Sequence, residues 1–261
     1  MKRPSAVTRQ VIRQQPAWQV MLASARLPAQ MVSLIDALDL TGPQVGLNGA
    51  IVFEVNGGQV RTLTTTPLAV PVAQELFDLV HTQWGLPIQW MTASTFFATE
   101  LTPQVQLEID YTGVTVTYAT QLPSVPVLAF LLILPDRRTF NRIQAQLAAR
   151  WPDLILADSG DGYLMITAPG VDKSQAARYL LAQGVAQADL YGVGDDLNDL
   201  PLLKAVGHPF GRGQRPAGRP RLRRANPGQQ PSRRGGALFG PILICVFSHH
   251  RPCGILWKVR N

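Results

Sequence analysis

The chain has 261 residues, 46% of them apolar, and a formal net charge of +7. It is long enough for one large or two modest globular domains and too apolar for a disordered chain. All 17 acidic residues lie at or before Asp199, so residues 1–210, with 13 Lys and Arg, carry −4, whereas residues 211–261, with 11 and no acid, carry +11. Both cysteines, Cys245 and Cys253, fall in the same last fifth, which excludes a disulfide framework or thiolate metal site from the rest. Lys2 and Arg3 are not followed by an apolar leader, and the longest late apolar run, Ala237–Phe247, is too short to span a bilayer. A cytoplasmic protein with no membrane partner is expected.

In chain order, residues 5–15 read as a helix with Ser5 as its cap, and Trp18–Ser24 as a buried parallel strand. A helix over 28–38 presents Met31, Leu34, Ile35 and Leu38 on one face. The stretch QVGLNGAIVFEV gives two strands around an Asn48-Gly49 turn, and 67–82 gives a helix. Strands are predicted at 87–91, 105–110, 113–119 and 127–134, with Tyr111-Thr112-Gly113 as a hairpin turn between the middle two. A helix over 136–150 precedes two strands around Ser159-Gly160-Asp161-Gly162, which is most simply a hairpin turn. Lys173 opens a helix to about Gln183, and strand Leu190–Val193 leads into an acidic stretch and another helical pattern. The alternation predicts an α/β core over 1–60 and 169–210 with an inserted α+β module over 61–168. Residues 211–261, rich in Gly, Pro and Arg at the start, read as a disordered tail.

Three stretches carry candidate chemistry. In Gly194-Asp195-Asp196-Leu197-Asn198-Asp199, carboxylates follow a strand and enter a helix, the edge at which doubly wound sheets bind ligands. Hard oxygen donors there suit Mg²⁺, and Asn198 could bond a phosphate oxygen; an acidic helix N-terminus, favoured by capping and the dipole, explains the acids equally well. Lys173 at a helix start opposes the dipole, which suggests an anion to be met; a solvated surface lysine is the plainer alternative. Ser24-Ala25-Arg26 ends a strand where a hydroxyl and backbone N–H groups could cradle phosphate, or where Ser24 could be a simple N-cap.

Together, Ser24-Ala25-Arg26, Asn48-Gly49-Ala50, a long insert, Gly170-Val171-Asp172-Lys173-Ser174 and Gly194–Asp199 resemble the haloacid dehalogenase (HAD) superfamily, and within it the Cof-type phosphatases, from about Ser5 to Phe210. The resemblance implies a Rossmann-like α/β core with an inserted α+β cap, and a Mg²⁺-dependent phosphatase acting on a small phosphorylated metabolite. It implies Lys173 as the catalytic cation, Asp195 at the metal with Asp199 supporting the metal or Lys173, and Ser24, Ala25, Arg26, Asn48 and Asn198 on phosphate or substrate. The Ala25 of Ser-Ala-Arg departs from the usual Thr-Gly-Arg.

The family's opening Asp-x-Asp-Gly-Thr, with its nucleophile and its general acid, has no counterpart, since no acid precedes Asp36. The first core strand is therefore expected to be missing, which would leave two neighbouring strands without ladder partners. The chain as given is expected to be inactive. A reading that lacks its native beginning and shifts frame near residue 210 accounts for both ends; a pseudoenzyme that binds a phosphorylated ligand or a protein is the alternative. The basic tail would attract nucleic acid non-specifically, and its few aromatics, Phe239, Phe247 and Trp257, lie beyond the Arg-rich part. His249 and His250 near Cys253 match no zinc spacing, and Trp84, Trp90, Phe96 and Phe97 read as packing residues of the insert that could also border a substrate entrance. Sequencing the DNA around codon 210 tests the frame shift: a neighbouring frame should continue the family pattern, and its failure to do so removes the idea.

Overall fold

A computed structural model describes residues 9, 10, 12, 18–160, 162–194, 196–211 and 242–247. The expected helix over 5–15 lies mostly outside these, with Arg9, Gln10 and Ile12 helical.

The chain builds two sheets. In the first, β1 (Gln19–Ser24) buries Met21, Leu22, Ala23 and Ser24. Helix α1 (Pro28–Ala37) starts with Pro28 at a position where a missing N–H costs nothing, and Gln30 turns back to accept the Leu27 N–H at 2.8 Å. It buries Met31, Leu34 and Ile35, the stripe expected from their spacing. Strand β2 (Gln44–Gly46), a 3₁₀ turn Leu47–Gly49 and β3 (Ile51–Asn56) follow, then β4 (Gln59–Thr65), paired antiparallel to β3. Strand β4 is absent from the sequence expectation because it is an almost wholly exposed edge strand with no apolar alternation to betray it.

Helix α2 (Val70–Phe77) runs into a π-helical turn (Asp78–Gln83), so the single helix expected over 67–82 changes winding midway. The second sheet contains β5 (Gln89–Met91), β6 (Phe96–Ala98), β7 (Val116–Tyr118), β8 (Ala129–Ile133), β9 (Ile155–Asp158) and β10 (Tyr163–Thr167), in the order β7-β6-β5-β8-β10-β9. Its core holds Trp90, stacked on Phe97 at 5.3 Å and edge-on to Phe77 at 5.3 Å. Helix α4 (Arg137–Arg150) packs Phe140, Ile143 and Leu147 inward.

One predicted strand is a helix. Residues 105–110 lie in α3 (Pro103–Thr112), whose N-cap Thr102 accepts the Val105 N–H at 3.1 Å and whose end is closed by Gly113 at φ 71. Val105 is buried and Leu107 is 62% exposed, so the alternating Val-Leu-Ile was not one face of a strand. Tyr111-Thr112-Gly113 is accordingly a helix C-terminus and not a hairpin turn.

The first sheet is completed by α5 (Gln175–Ala182), β11 (Leu190–Gly194), α6 (Leu200–Ala205), β12 (His208–Gly211) and β13 (Ile242–Phe247), in the order β12-β11-β13-β1-β2-β3-β4. Strand β13 corrects two expectations. The tail is not wholly without structure, and β1 and β11 are not left without partners. Ile242–Phe247 pairs in parallel with Gln19–Ser24 on one side, and Ile242–Cys245 pairs in parallel with Leu190–Val193 on the other. A six-residue apolar run without charge is what a central parallel strand requires.

A proline at Ile244, opposite Met21 and Gly192, removes a ladder N–H in mid-sheet. Ile244→Pro should lower the unfolding free energy by at least about 1–3 kcal/mol, the cost of one orphaned backbone group. Urea denaturation checks this; an unchanged midpoint would show that the sheet does not depend on β13.

Candidate active site

The acidic stretch folds as a tight wrap around the end of β11. A Cβ on Gly194 would meet the Asp199 Cβ at 2.5 Å, so only glycine lets Asp199 fold back onto the strand. Asp196 caps the 3₁₀ turn Leu197–Asp199, accepting the Leu197 N–H at 2.7 Å. Its own N–H donates to Asp199 Oδ2 at 2.9 Å. Asp199 is fully buried, and its Oδ1 receives the Lys173 ammonium at 2.6 Å.

Lys173 is 1% exposed and also donates to Asn198 Oδ1 at 3.0 Å. It is therefore not a solvated surface lysine. Because lysine offers three donors and no acceptor, the Asn198 oxygen must face it, and the Asn198 amide nitrogen is turned toward Ser159, whose Oγ accepts at 3.2 Å. Two of the three ammonium donors are used by protein acceptors among the described residues.

The other motifs join through the backbone. Gly49, at φ +111, packs so closely that a Cβ would lie 2.2 Å from the Asp172 carbonyl oxygen, which presses the Asn48 turn against the segment leading into Lys173. Asn48 itself takes a left-handed conformation (φ 52), which asparagine tolerates better than most residues. The Leu47 N–H donates to the Arg26 carbonyl at 3.0 Å, tying this turn to the end of β1. There Ser24 Oγ accepts the Arg26 N–H at 3.2 Å, and Ser24, Ala25 and Arg26 are all buried.

A cleft of about 260 Å³ opens over Asn48, Lys173 and Asn198, walled on its far side by β9 of the second sheet. Of the residues the sequence nominates, these three meet in it, with Asp199 behind Lys173. Ser24, Ala25 and Arg26 sit one hydrogen bond away, below the Asn48 turn, and are not part of its lining. Asp195 lies outside the described residues. Asp199, expected to support the metal or Lys173, turns one oxygen to Lys173 and the other to the Asp196 N–H. Among the described residues no three His, Cys, Asp or Glu side chains gather as a metal site. Ser159 and the β9 wall were missed by sequence reasoning; a serine in a hairpin turn carries no local sign that the turn reaches another sheet.

A family model for haloacid dehalogenase-like hydrolases matches residues 2–214. The chain belongs to this family. Its fold is that of solved haloacid dehalogenase-like proteins. One is a haloacid dehalogenase-like hydrolase from B. subtilis (TM-score 0.70, 15% identity, 80% of this chain and 83% of that one). Another is a HAD phosphatase from Bacteroides thetaiotaomicron (0.63, 15%, 80% and 76%). A third is a HAD subclass IIB sugar phosphatase (0.65, 14%, 81% and 81%). No curated protein matches the chain in sequence. Among the described residues of this haloacid dehalogenase-like protein, no helix is long and apolar enough to cross a membrane.

Lys173→Met would leave the Asp199 carboxylate buried without its counter-ion, and such a loss costs about 3–5 kcal/mol. The double variant Lys173→Met/Asp199→Leu, which removes both charges, should recover a substantial part of that loss. Urea unfolding of the three proteins measures the difference; equal destabilisation of single and double variants would show that the pair is not coupled.

Proposed function

We propose that the chain carries the phosphate-binding end of a HAD-type phosphatase site, with a small phosphorylated metabolite as ligand. The observation that supports this is the buried Lys173 ammonium at the floor of the cleft, held by Asp199 and Asn198, with one N–H that has no acceptor among the described residues. An ammonium fixed in a desolvated position attracts a phosphate oxygen more strongly than a mobile surface lysine does, because no reorganisation is needed and the local dielectric is low. Asp199 holds Lys173 and aims it, while Asn198 lies beside it as a second polar contact for phosphate. The buried Ser24 and the Ala25 and Arg26 backbone are proposed as the supporting cradle beneath the Asn48 turn. The second sheet is proposed as the cap, closing over the organic part of the ligand. The sugar phosphatase among the structural relatives is in keeping with a phosphoester ligand.

Mg²⁺ remains part of the proposal through Asp195, which follows Gly194 in the sequence. The described residues do not by themselves form a metal set, so no step is assigned to the ion here. No acid precedes Asp36, so these 261 residues hold no counterpart of the aspartate nucleophile that the family resemblance implies. Binding without appreciable turnover is the expected behaviour, in the cytoplasm.

Calorimetric titration of the full chain with inorganic phosphate should give binding that Lys173→Ala weakens at least about tenfold, the value of one charge-assisted hydrogen bond. Asn198→Ala, which leaves the ion pair in place, should weaken it severalfold. p-Nitrophenyl phosphate with Mg²⁺ should give negligible hydrolysis. Phosphate affinity unchanged in both variants would overturn the site assignment, and Mg²⁺-dependent turnover would overturn the proposed inactivity.

A further inference from the structure

Among the described residues, the cleft offers a ligand few uncommitted polar side chains beyond Lys173. Asp158 binds Arg137 at 2.6 Å and accepts the Gly160 N–H at 3.0 Å. Asp172 accepts the Ser174 N–H at 2.8 Å and also the Ser174 hydroxyl. Asn198 spends its oxygen on Lys173 and one of its two amide hydrogens on Ser159, which leaves the other for phosphate. Asn48 is different. It is 2% exposed, its amide nitrogen donates to the weak acceptor Met165 Sδ at 3.2 Å, and its Oδ1 is buried with no hydrogen-bond partner. An orphaned buried acceptor is costly unless something fills it.

Among the described residues, the other side chains of the lining are apolar. Ile155, Leu156 and Ala157 come from β9, and Leu197 and Pro201 from the turn after β11. Leu197 is 46% exposed, a large apolar side chain left at the lip of a binding cleft. The volume, about 260 Å³, is below the ~300–1,000 Å³ of sites for drug-sized ligands. A sugar phosphate would bring several hydroxyl groups against this largely apolar wall, and each one that meets carbon there gives up water without replacement.

We propose that this cleft selects a small phosphate monoester with an apolar organic part and one hydrogen-bond donor. Its phosphate lies on Lys173, its apolar part on the β9 wall and its donor on Asn48 Oδ1. The inference rests on the phosphate reading above and adds the class of ligand to it.

Calorimetry on the full chain with inorganic phosphate, n-butyl phosphate, 4-hydroxybutyl phosphate and glucose 6-phosphate tests it. Each methylene that enters the cleft should tighten binding about three- to fourfold, so butyl phosphate should exceed phosphate by at least about tenfold. The hydroxybutyl ester should bind at least as tightly as the butyl ester, and Asn48→Gly, which keeps the left-handed turn open to the backbone, should abolish that match. Leu156→Gln should shrink the ratio of butyl phosphate to phosphate affinity. Glucose 6-phosphate should bind no more tightly than phosphate itself. Glucose 6-phosphate tighter than butyl phosphate, or a butyl ester no tighter than phosphate, overturns the subsite while leaving the phosphate site standing. Absence of phosphate binding removes the phosphate reading and this inference with it.

Discussion

Lys173 is 1% exposed, and Asp199, 2.6 Å away and fully buried, is the counter-ion built in beside it. Much of the local architecture follows from holding these two side chains together. Gly194 must lack a Cβ so that Asp199 can fold back over the end of β11, and the Asp196 N–H fixes the second carboxylate oxygen. On the other side, Gly49 must lack one so that the Asn48 turn can press on the Asp172 carbonyl, one residue before Lys173. Two glycines far apart in sequence thus set the spacing of one ion pair, and the pair joins β11 to the entry of α5. Such a pair is a poor source of net stability, because desolvation offsets the attraction. Its retention in the core is better explained by what the fixed ammonium can bind than by what it adds to folding.

The pair also needs a sheet to stand on, and here the chain uses an unusual solution. Strands β1 and β11 carry the two halves of the site and are not neighbours; β13 lies between them, in parallel register with both. Central parallel strands are buried on both faces, so a gap would expose two ladders of backbone groups and the apolar layers above and below. Any sufficiently apolar, uncharged segment of six residues can satisfy those ladders, because the hydrogen bonds belong to the backbone. The chemistry at the strand's end does not come with it. Structural completeness of the sheet and chemical completeness of the site are therefore separate properties in this chain.

Much of this was legible in the sequence where local signals and burial agree. The stripe Met31, Leu34, Ile35 and Leu38, the apolar Met21–Ala23 and the Asn48-Gly49 turn each specify their element unaided. Residues 105–110 failed because three apolar residues at alternate positions outweighed the Thr102-Pro103 start and the Gly113 stop, which are the stronger evidence for a helix. Strand β4 failed because an exposed edge strand needs no apolar pattern. Strand β13 failed for the opposite reason: its pattern is plain, but the Arg-rich composition before it argued against any structure. In the site, the order of Ser24, Asn48, Lys173 and Asn198 along the chain pointed to a shared purpose. Which of them would share a cleft was not readable, since that depends on Gly49 and Gly194 permitting close approaches that no local pattern encodes.

The link between the two sheets was the least legible of all, and it has a definite consequence. Lys173 can only donate, so it fixes which end of the Asn198 amide points inward; the other end must then find an acceptor, and Ser159 on the turn between β9 and β10 supplies it. The orientation of an amide in the cleft is thereby set from both sheets at once. The turn that carries Ser159 is contiguous with β9, whose Ile155, Leu156 and Ala157 form the apolar wall of the cleft. The wall that would meet the organic part of a ligand and the hydroxyl that orients the polar floor thus belong to one short segment. A displacement of that segment would move the apolar wall of the cleft and the hydrogen-bond partner of Asn198 together, because both belong to the same turn and strand.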